Sequence, residues 1–194
     1  MTTVYFVRHA QPNYENHDDL TRELTEKGLA DRKLVTAFLM DKNINAVLSS
    51  PFQRSIDTVK DFADTKGLSI TVENDFRERR IDSVWIEDFN AFCVQQWADF
   101  NYKLSDGESL GEVQARNIAA LNRVLAEHEG ENVVIGSHGT ALSTIINYYD
   151  PTFGYAQFEE IRGLMPWIVK FKFSGSRFES VEKIDLFRLQ EKDT

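Results

Sequence analysis

Short apolar runs rich in β-branched and aromatic residues alternate along the chain with longer segments whose apolar residues recur every three or four positions. That alternation limits the fold more than any other feature. Thr3 to Val7, Ala46 to Ser49, Leu68 to Val72 and Val133 to Gly136 read as strands. A helix is predicted from about Thr25 to Asp41, with Thr25 as its cap and a stripe of Leu29, Lys33, Leu34, Ala37, Phe38 and Met40. A second follows Ser50-Pro51 and carries Phe52, Ile56, Val59, Phe62 and Ala63. A helix-rich stretch is expected from about Ile86 to Leu104. Ser109-Leu110-Gly111-Glu112 has the spacing of a capping box and opens a helix with Leu110, Val113, Ile118, Leu121, Val124 and Leu125 on one face. A further helix spans Gly139 to Tyr149. Pro166 to Phe173 and Phe178 to Phe187 read as two terminal strands joined by Ser174-Gly175-Ser176. Strand followed by helix, repeated, predicts a mainly parallel sheet with helices on both faces. Ligands of such sheets bind at the carboxyl ends of the strands.

Composition narrows the class. The 194 residues contain four prolines, no repeat and no linker-like stretch, so one domain over 1–194 is expected. No apolar run approaches a membrane span. The start, Met1 to Phe6, lacks the basic and apolar regions of a signal peptide, and Cys93 is the single cysteine. Both point to a reducing, cytoplasmic setting. The formal net charge of −9 argues against nucleic acid or an anionic membrane as partner. It leaves a small anionic ligand open, because a pocket can be locally cationic.

The strand ends are where chemistry collects. The first gives Arg8-His9-Ala10, the second Ser49 to Arg54, the third is followed by Phe76-Arg77-Glu78-Arg79-Arg80, and the fourth gives Ser137-His138-Gly139. Each has a plain structural reading by itself: a polar loop histidine, a solvated helix arginine, a charged surface run, a turn after a strand. Together on one rim they form a set suited to phosphoryl transfer. Arginine forks bond two phosphate oxygens at once, and helix N-terminal amides add partial positive charge. A neutral imidazole can attack phosphorus, and a second histidine, if protonated, would stabilise the transferring group. A carboxylic acid protonates the leaving oxygen and then, as carboxylate, activates water. This chemistry needs no metal and no organic cofactor. A metal hydrolase is the weaker reading, since no carboxylate lies at metal-ligand spacing from His9 or His138.

These residues resemble the histidine phosphatase superfamily, the phosphoglycerate mutase-like proteins, over nearly the whole chain. Arg8-His9-Ala10 resembles its arginine-histidine-glycine signature, with alanine for the glycine. Leu24 to Gly28, Ser49 to Thr58, Asp106 to Ser109 and Val133 to Gly139 are similar to its later motifs, in the family's order. The resemblance implies a three-layer α/β/α sandwich with a mainly parallel central sheet. It implies that His9 is the nucleophile, that Arg8, Arg54 and His138 form the phosphate pocket, and that Glu78 is the acid/base, with Asp82 as the alternative. The mutase-like branch places a phosphate-holding asparagine where this chain has Glu15; Asn16 would serve after a one-residue shift. The run Asp18 to Thr25 resembles that of the smaller phosphatases without its proline, which makes Arg22 a substrate contact, while His17 reads as a surface residue.

The segment from Arg77 to Leu104 reads as a helical cover, with Trp85, Phe89, Phe92, Trp97, Phe100 and Tyr102. Its aromatic face packs on the sheet, lines the pocket or contacts a second copy in a homodimer. Arg79 and Arg80 are candidates for a second anionic group on the substrate. Cys93 reads as a buried filler. The sequence favours a phosphatase acting on a small phosphomonoester, with a phosphoglycerate mutase and a catalytically weak phosphate-binding protein as alternatives.

Overall fold

A computed structural model describes residues 1–84 and 86–192. Six strands form one sheet in the order β3-β2-β4-β1-β5-β6. They are β1 (Thr2–Arg8), β2 (Ala46–Ser49), β3 (Ile70–Val72), β4 (Asn132–Ser137), β5 (Trp167–Ser174) and β6 (Arg177–Ile184). β1 to β4 run parallel, and β5 and β6 add an antiparallel edge beyond β1. Among the described residues seven α-helices accompany them: α1 (Glu26–Leu39), α2 (Gln53–Lys66), α3 (Phe89–Ala98), α4 (Leu110–Glu127), α5 (Gly139–Tyr149), α6 (Tyr155–Ile161) and α7 (Leu186–Lys192).

The layers follow from alternation in the central strands. Val4, Phe6, Val133 and Ile135 face one core, packed with Leu121 and Val124 of α4 and Leu142 and Ile145 of α5. Tyr5, Val7, Val47 and Val134 face the other, with Val35 and Leu39 of α1, Val59 and Phe62 of α2 and Leu186 of α7. Both sides of β1 are thus buried, which is why its sequence is apolar without a break. The three-layer α/β/α arrangement expected from the sequence is the one observed.

Several boundaries differ. The buried face of α1 is Gly28, Val35 and Leu39, so the expected stripe is rotated: Leu29, Lys33, Ala37 and Met40 are exposed. Thr25 does cap α1, accepting from Gly28 N–H. Helix α2 starts at Gln53, two residues after Pro51. The cover is less helical than expected: among the described residues of 77–104 only α3 is α-helix, and Trp85 lies outside those residues. The face of α3 packs on α6 and its approach, where Trp97 meets Phe153 and Phe158 at ring-centroid distances of 6.2 and 5.5 Å. The last predicted strand stops at Ile184, and α7 begins two residues later. The short helix α6 has no strong periodicity and is absent from the sequence reading.

One polar hub fixes the segment that follows β3. The capping box of α4 is formed by Ser109 and Glu112, and Glu108 just before it receives four donors. They are the backbone N–H of Arg80 at 2.9 Å, Nε and Nη2 of Arg116 at 2.8 and 3.0 Å, and Nη2 of Arg77 at 3.1 Å. Arg116 in turn donates to the carbonyls of Asp75, Arg77 and Glu78. Gly107 allows this approach, because a Cβ there would sit 2.1 Å from the Ile81 carbonyl oxygen. Arg77 is therefore spent on the hub. Burial works to raise the Glu108 carboxyl, but the bonds from Arg116 and Arg80 outweigh it and hold the group below its usual range.

Glu108→Ala is expected to lower the unfolding free energy at neutral pH by about 2–3 kcal/mol, read by urea denaturation, because it strands Arg116 and the Arg80 amide. A carboxyl held low in the fold stabilises it above the ordinary glutamate value and stops doing so as pH falls through the depressed one. The deficit of the variant should therefore be constant above about pH 4.3 and shrink below it.

Candidate active site

The carboxyl ends of β1, β2 and β4 deliver the predicted residues to one rim. Arg8 ends β1 and His9 follows, its backbone N–H bonded to Ser137 O at 3.1 Å. Ser49 ends β2, and Ser50 N–H continues the pairing to Gly136 O at 3.0 Å. His138 follows β4 and is the N-cap residue of α5. The two imidazoles meet edge to face at 5.3 Å between centroids. His9 Nδ1 lies 2.8 Å from Ala10 O. A carbonyl only accepts, so Nδ1 carries the hydrogen and Nε2 keeps a lone pair. Ala10 is fully buried, and its N–H donates to Thr58 Oγ1 at 2.9 Å. The alanine is thus accommodated where the family signature has glycine.

Arg8 and Arg54 flank the pair, 7% and 3% exposed. Arg8 Nη1 donates to Ile161 O at 2.7 Å and Leu164 O at 3.2 Å, at the end of α6. Its guanidinium lies against Gly139, where a Cβ would come within 3.0 Å of Cζ. Burial lowers Arg8 to about 10, which leaves it cationic at neutral pH. Arg54 donates to Asp19 O at 2.7 Å and Asp19 Oδ1 at 3.3 Å, and sits 4.9 Å over the Phe52 ring. Burial pushes both His9 and His138 well below the usual imidazole range, and Arg54 adds to it in each case. The imidazolium allowed for His138 in the sequence reading is thus disfavoured, and both rings are neutral.

Glu78 reaches the rim in an unexpected way. Its Oε2 accepts from Thr140 N–H and its Oε1 from Ala141 N–H, each at 3.0 Å, and Oε1 also accepts from Arg79 N–H at 2.8 Å. Those amides at the N-terminus of α5 are therefore occupied by Glu78. Gln53 N–H at the start of α2 is likewise bonded to Leu20 O. Glu78 supports the charges of both Arg8 and Arg54. Asp82 lines the same cleft but turns to Ser83 N–H at 2.7 Å, so Glu78 is the carboxylate coupled to the rim.

The remaining candidates divide. Arg22 lines the cleft, bonded to Asn16 O at 2.6 Å and Asp19 Oδ1 at 2.9 Å. Asn16 does not reach the rim: its amide donates to Glu23 Oε2 at 2.8 Å and its oxygen receives Asp18 N–H, which builds the loop instead. His17 is exposed, as the surface reading expects, and it also borders the cleft. Arg79 is buried between Phe89 and Phe92 and donates to Thr140 Oγ1 and Cys93 Sγ. Burial raises the Cys93 thiol against this neighbour, in keeping with a filler. Arg80 is exposed at the cleft. Ser50, Asp19, Thr140 and Arg162 were not singled out from the sequence. Ser50 lay inside a quoted motif, whereas Arg162 follows the unforeseen α6.

The cleft has a volume of about 760 Å³. Its cations are Arg8, Arg22, Arg54, Arg79, Arg80 and Arg162, against the carboxylates Asp19, Glu78 and Asp82. Chemically, this offers a neutral imidazole lone pair, buried guanidinium forks beside it and a carboxylate lining the same cleft.

The profile of the histidine phosphatase superfamily (branch 1) matches residues 4–185. A probable phosphoglycerate mutase GpmB of Yersinia pestis is 28% identical over 165 residues, covering 76% of this chain and 74% of its own. Among solved structures, Bacillus stearothermophilus YhfR superposes with a TM-score of 0.75 at 20% identity, over 92% of this chain and 95% of that one. The phosphoserine phosphatase of Entamoeba histolytica in complex with 3-phosphoglyceric acid gives 0.75 at 18%, over 96% and 99%. A mycobacterial glucosyl-3-phosphoglycerate phosphatase bound to inorganic phosphate gives 0.74 at 18%, over 94% and 96%. With every strand-end motif and all of the sheet but the first two residues of β1 inside the matched span, this chain belongs to the histidine phosphatase superfamily, branch 1.

Proposed function

We propose that the chain is a phosphomonoesterase that hydrolyses a small, acidic phosphorylated substrate through a phosphohistidine on His9. The observation that carries this reading is the hydrogen bond from His9 Nδ1 to Ala10 O, which leaves the Nε2 lone pair between two buried arginines. In the first step Nε2 attacks phosphorus, and the bond to the ester oxygen breaks. Arg8, Arg54 and His138 take the charge on the equatorial oxygens, and Glu78, as the acid, gives the leaving oxygen its proton. In the second step Glu78, now a carboxylate, takes a proton from water. The water oxygen attacks phosphorus, the P–N bond breaks and its electron pair returns to Nε2. A carboxylate has about four acceptor positions. Three of those of Glu78 are used by backbone amides, so it keeps capacity toward the cleft.

Two features favour hydrolysis over mutase transfer. The cover beside Glu78 has no regular structure from 77 to 84, and Ser83 and Val84 are exposed, so water has access. The outer cleft has its own cations, Arg80 and Arg162, for a second anionic group. Arg79, by contrast, has two of its donors committed to Thr140 and Cys93. Phosphoserine and glucosyl-3-phosphoglycerate, named for two of the structural neighbours, each join a phosphoester to a carboxylate. The proposed substrate has that chemistry, and the proposed setting is cytoplasmic.

Phosphate release across a panel of phosphorylated metabolites is the direct test, with His9→Ala as the blank and expected to lose about 10⁴-fold or more. Acid-labile phosphate on His9 in quenched enzyme is required; isomerisation with little phosphate release would assign a mutase instead. Arg54→Ala should lower kcat by about 10²- to 10³-fold. Arg80→Ala and Arg162→Ala should each raise KM about fivefold for a carboxylated phosphoester and leave an uncharged aryl phosphate unchanged.

The pH dependence has a definite sign. Burial and the charges of Arg54 and Arg8 hold His9 low, so its lone pair persists as pH falls through the ordinary imidazole value of about 6.5. Single-turnover phosphorylation of His9 should stay flat through that value and fall only below it. A half-maximal rate near 6.5 would contradict the assignment.

A further inference from the structure

The hydrogen accounting around Ser50 identifies a positioning residue that the reaction scheme does not use. Ser50 is fully buried, and its backbone is tied to Gly136 O of β4. Its hydroxyl oxygen receives Phe52 N–H at 3.2 Å and lies 2.6 Å from His138 Nε2. Two arrangements satisfy that short contact. In one, His138 Nε2–H donates to Oγ. The serine hydrogen then has no acceptor in a buried place, and His138 Nδ1 becomes a bare lone pair. In the other, Ser50 Oγ–H donates to Nε2. The oxygen then receives one hydrogen and gives one, and the imidazole hydrogen sits on Nδ1. Each arrangement leaves one buried hydrogen without an acceptor, the serine's in the first and the Nδ1 hydrogen in the second. Only the second satisfies the hydroxyl and keeps the spare donor on the ring beside His9, where a phosphoryl oxygen on His9 would accept it, and that selects it.

The consequence lies at the other side of the ring. His138 Nδ1 is buried and has no hydrogen-bond partner among the described residues. The ring is held edge to face by Phe52 at 5.1 Å and His9 at 5.3 Å, so a flip that exchanges the two nitrogens meets packing on both sides. We propose that Ser50 locks His138 as a neutral imidazole with its hydrogen on Nδ1, and that this N–H is a donor to the transferring phosphoryl oxygen. His9 and His138 then hold opposite roles while both are uncharged. The Ala10 carbonyl makes His9 present a lone pair, and the Ser50 hydroxyl makes His138 present a hydrogen. The groups whose charges act on His138 are Arg54, His9, Arg116 and Arg8, and none is acidic. Burial with these neighbours keeps the ring neutral, so its donor strength does not depend on picking up a proton. This assignment rests on the phosphohistidine reading for its catalytic meaning, while the tautomer itself is independent of turnover.

The experiment is a two-bond proton–nitrogen correlation spectrum of the full chain labelled with ¹⁵N-histidine, with His138→Gln used to assign the ring. Wild type should show His138 at neutral pH as a single neutral tautomer protonated on Nδ1, and added inorganic phosphate should move that proton downfield. Ser50→Ala should lose the single tautomer and lower kcat by about ten- to a hundredfold, with KM moving much less. Ser50→Thr, which keeps the hydroxyl, should restore both. An imidazolium or an Nε2–H tautomer in wild type overturns the proposal. So does a Ser50→Ala protein that loses activity while keeping the Nδ1–H tautomer, which would make Ser50 merely structural. An Nδ1–H tautomer in a chain that never releases phosphate would instead overturn the phosphatase reading and leave the tautomer assignment standing.

Discussion

Two guanidinium groups and two imidazoles share one buried rim, and most of the structure around it answers the cost of removing those groups from water. Arg8 is offset by the Ile161 and Leu164 carbonyls, which ties the end of α6 to the end of β1. Arg54 is offset by Asp19, which ties the loop after β1 to the start of α2. Neither arginine is fully neutralised by a buried carboxylate. Asp19 is largely open to solvent, and Glu78 spends its oxygens on backbone amides. The pocket therefore stays cationic without losing its desolvated groups to closed ion pairs, the state a phosphate-binding site needs.

The same burial decides the protonation of the histidines. A charged imidazole beside Arg54 and Arg8 meets repulsion in a medium that screens poorly, so both rings hold to the neutral form. Neutral imidazole is ambiguous until something fixes its hydrogen. At His9 the fixing group is the backbone of its own neighbour, and at His138 it is a side chain from the adjacent strand end. Parallel packing of β2 against β4 makes the second possible, since the register Ser49 to Gly136 brings Ser50 level with the last residue of β4, next to His138. Topology, in this sense, sets chemistry at a single nitrogen.

What the sequence disclosed, and what it hid, follows the range of the interactions. Arg8-His9, Ser49 to Arg54 and Ser137-His138 were legible because a strand end is a local event and one rim collects all of them. The capping box at Ser109 and the cap at Thr25 were legible for the same reason. Asn16 was misassigned because its partner, Glu23, is set by the path of a loop. The buried face of α1 was misjudged because Gly28 packs by closeness: a Cβ there would stand 2.3 Å from Gln11 O, and no hydrophobic pattern reports that. The amides at the start of α5 bond Glu78 from 62 and 63 positions away, a pairing no local spacing encodes. Ser50 was in plain view within a motif, but its hydroxyl had no meaning until His138 stood beside it.

The net charge of −9 acquires its meaning from placement. Six arginines line one cleft, while acidic residues elsewhere form exposed pairs such as Lys60 with Asp64 and Arg177 with Glu179, each of small energy. At physiological ionic strength fields fade over about 8 Å. An acidic exterior therefore repels an extended polyanion that must lie along many of its charges at once. A small phosphoester that reaches the mouth feels mainly Arg80, Arg162 and Arg22, and then the buried forks of Arg8 and Arg54. For the small phosphoester proposed as substrate, this separation of charge between surface and cleft would act as a selection by size ahead of any contact with His9.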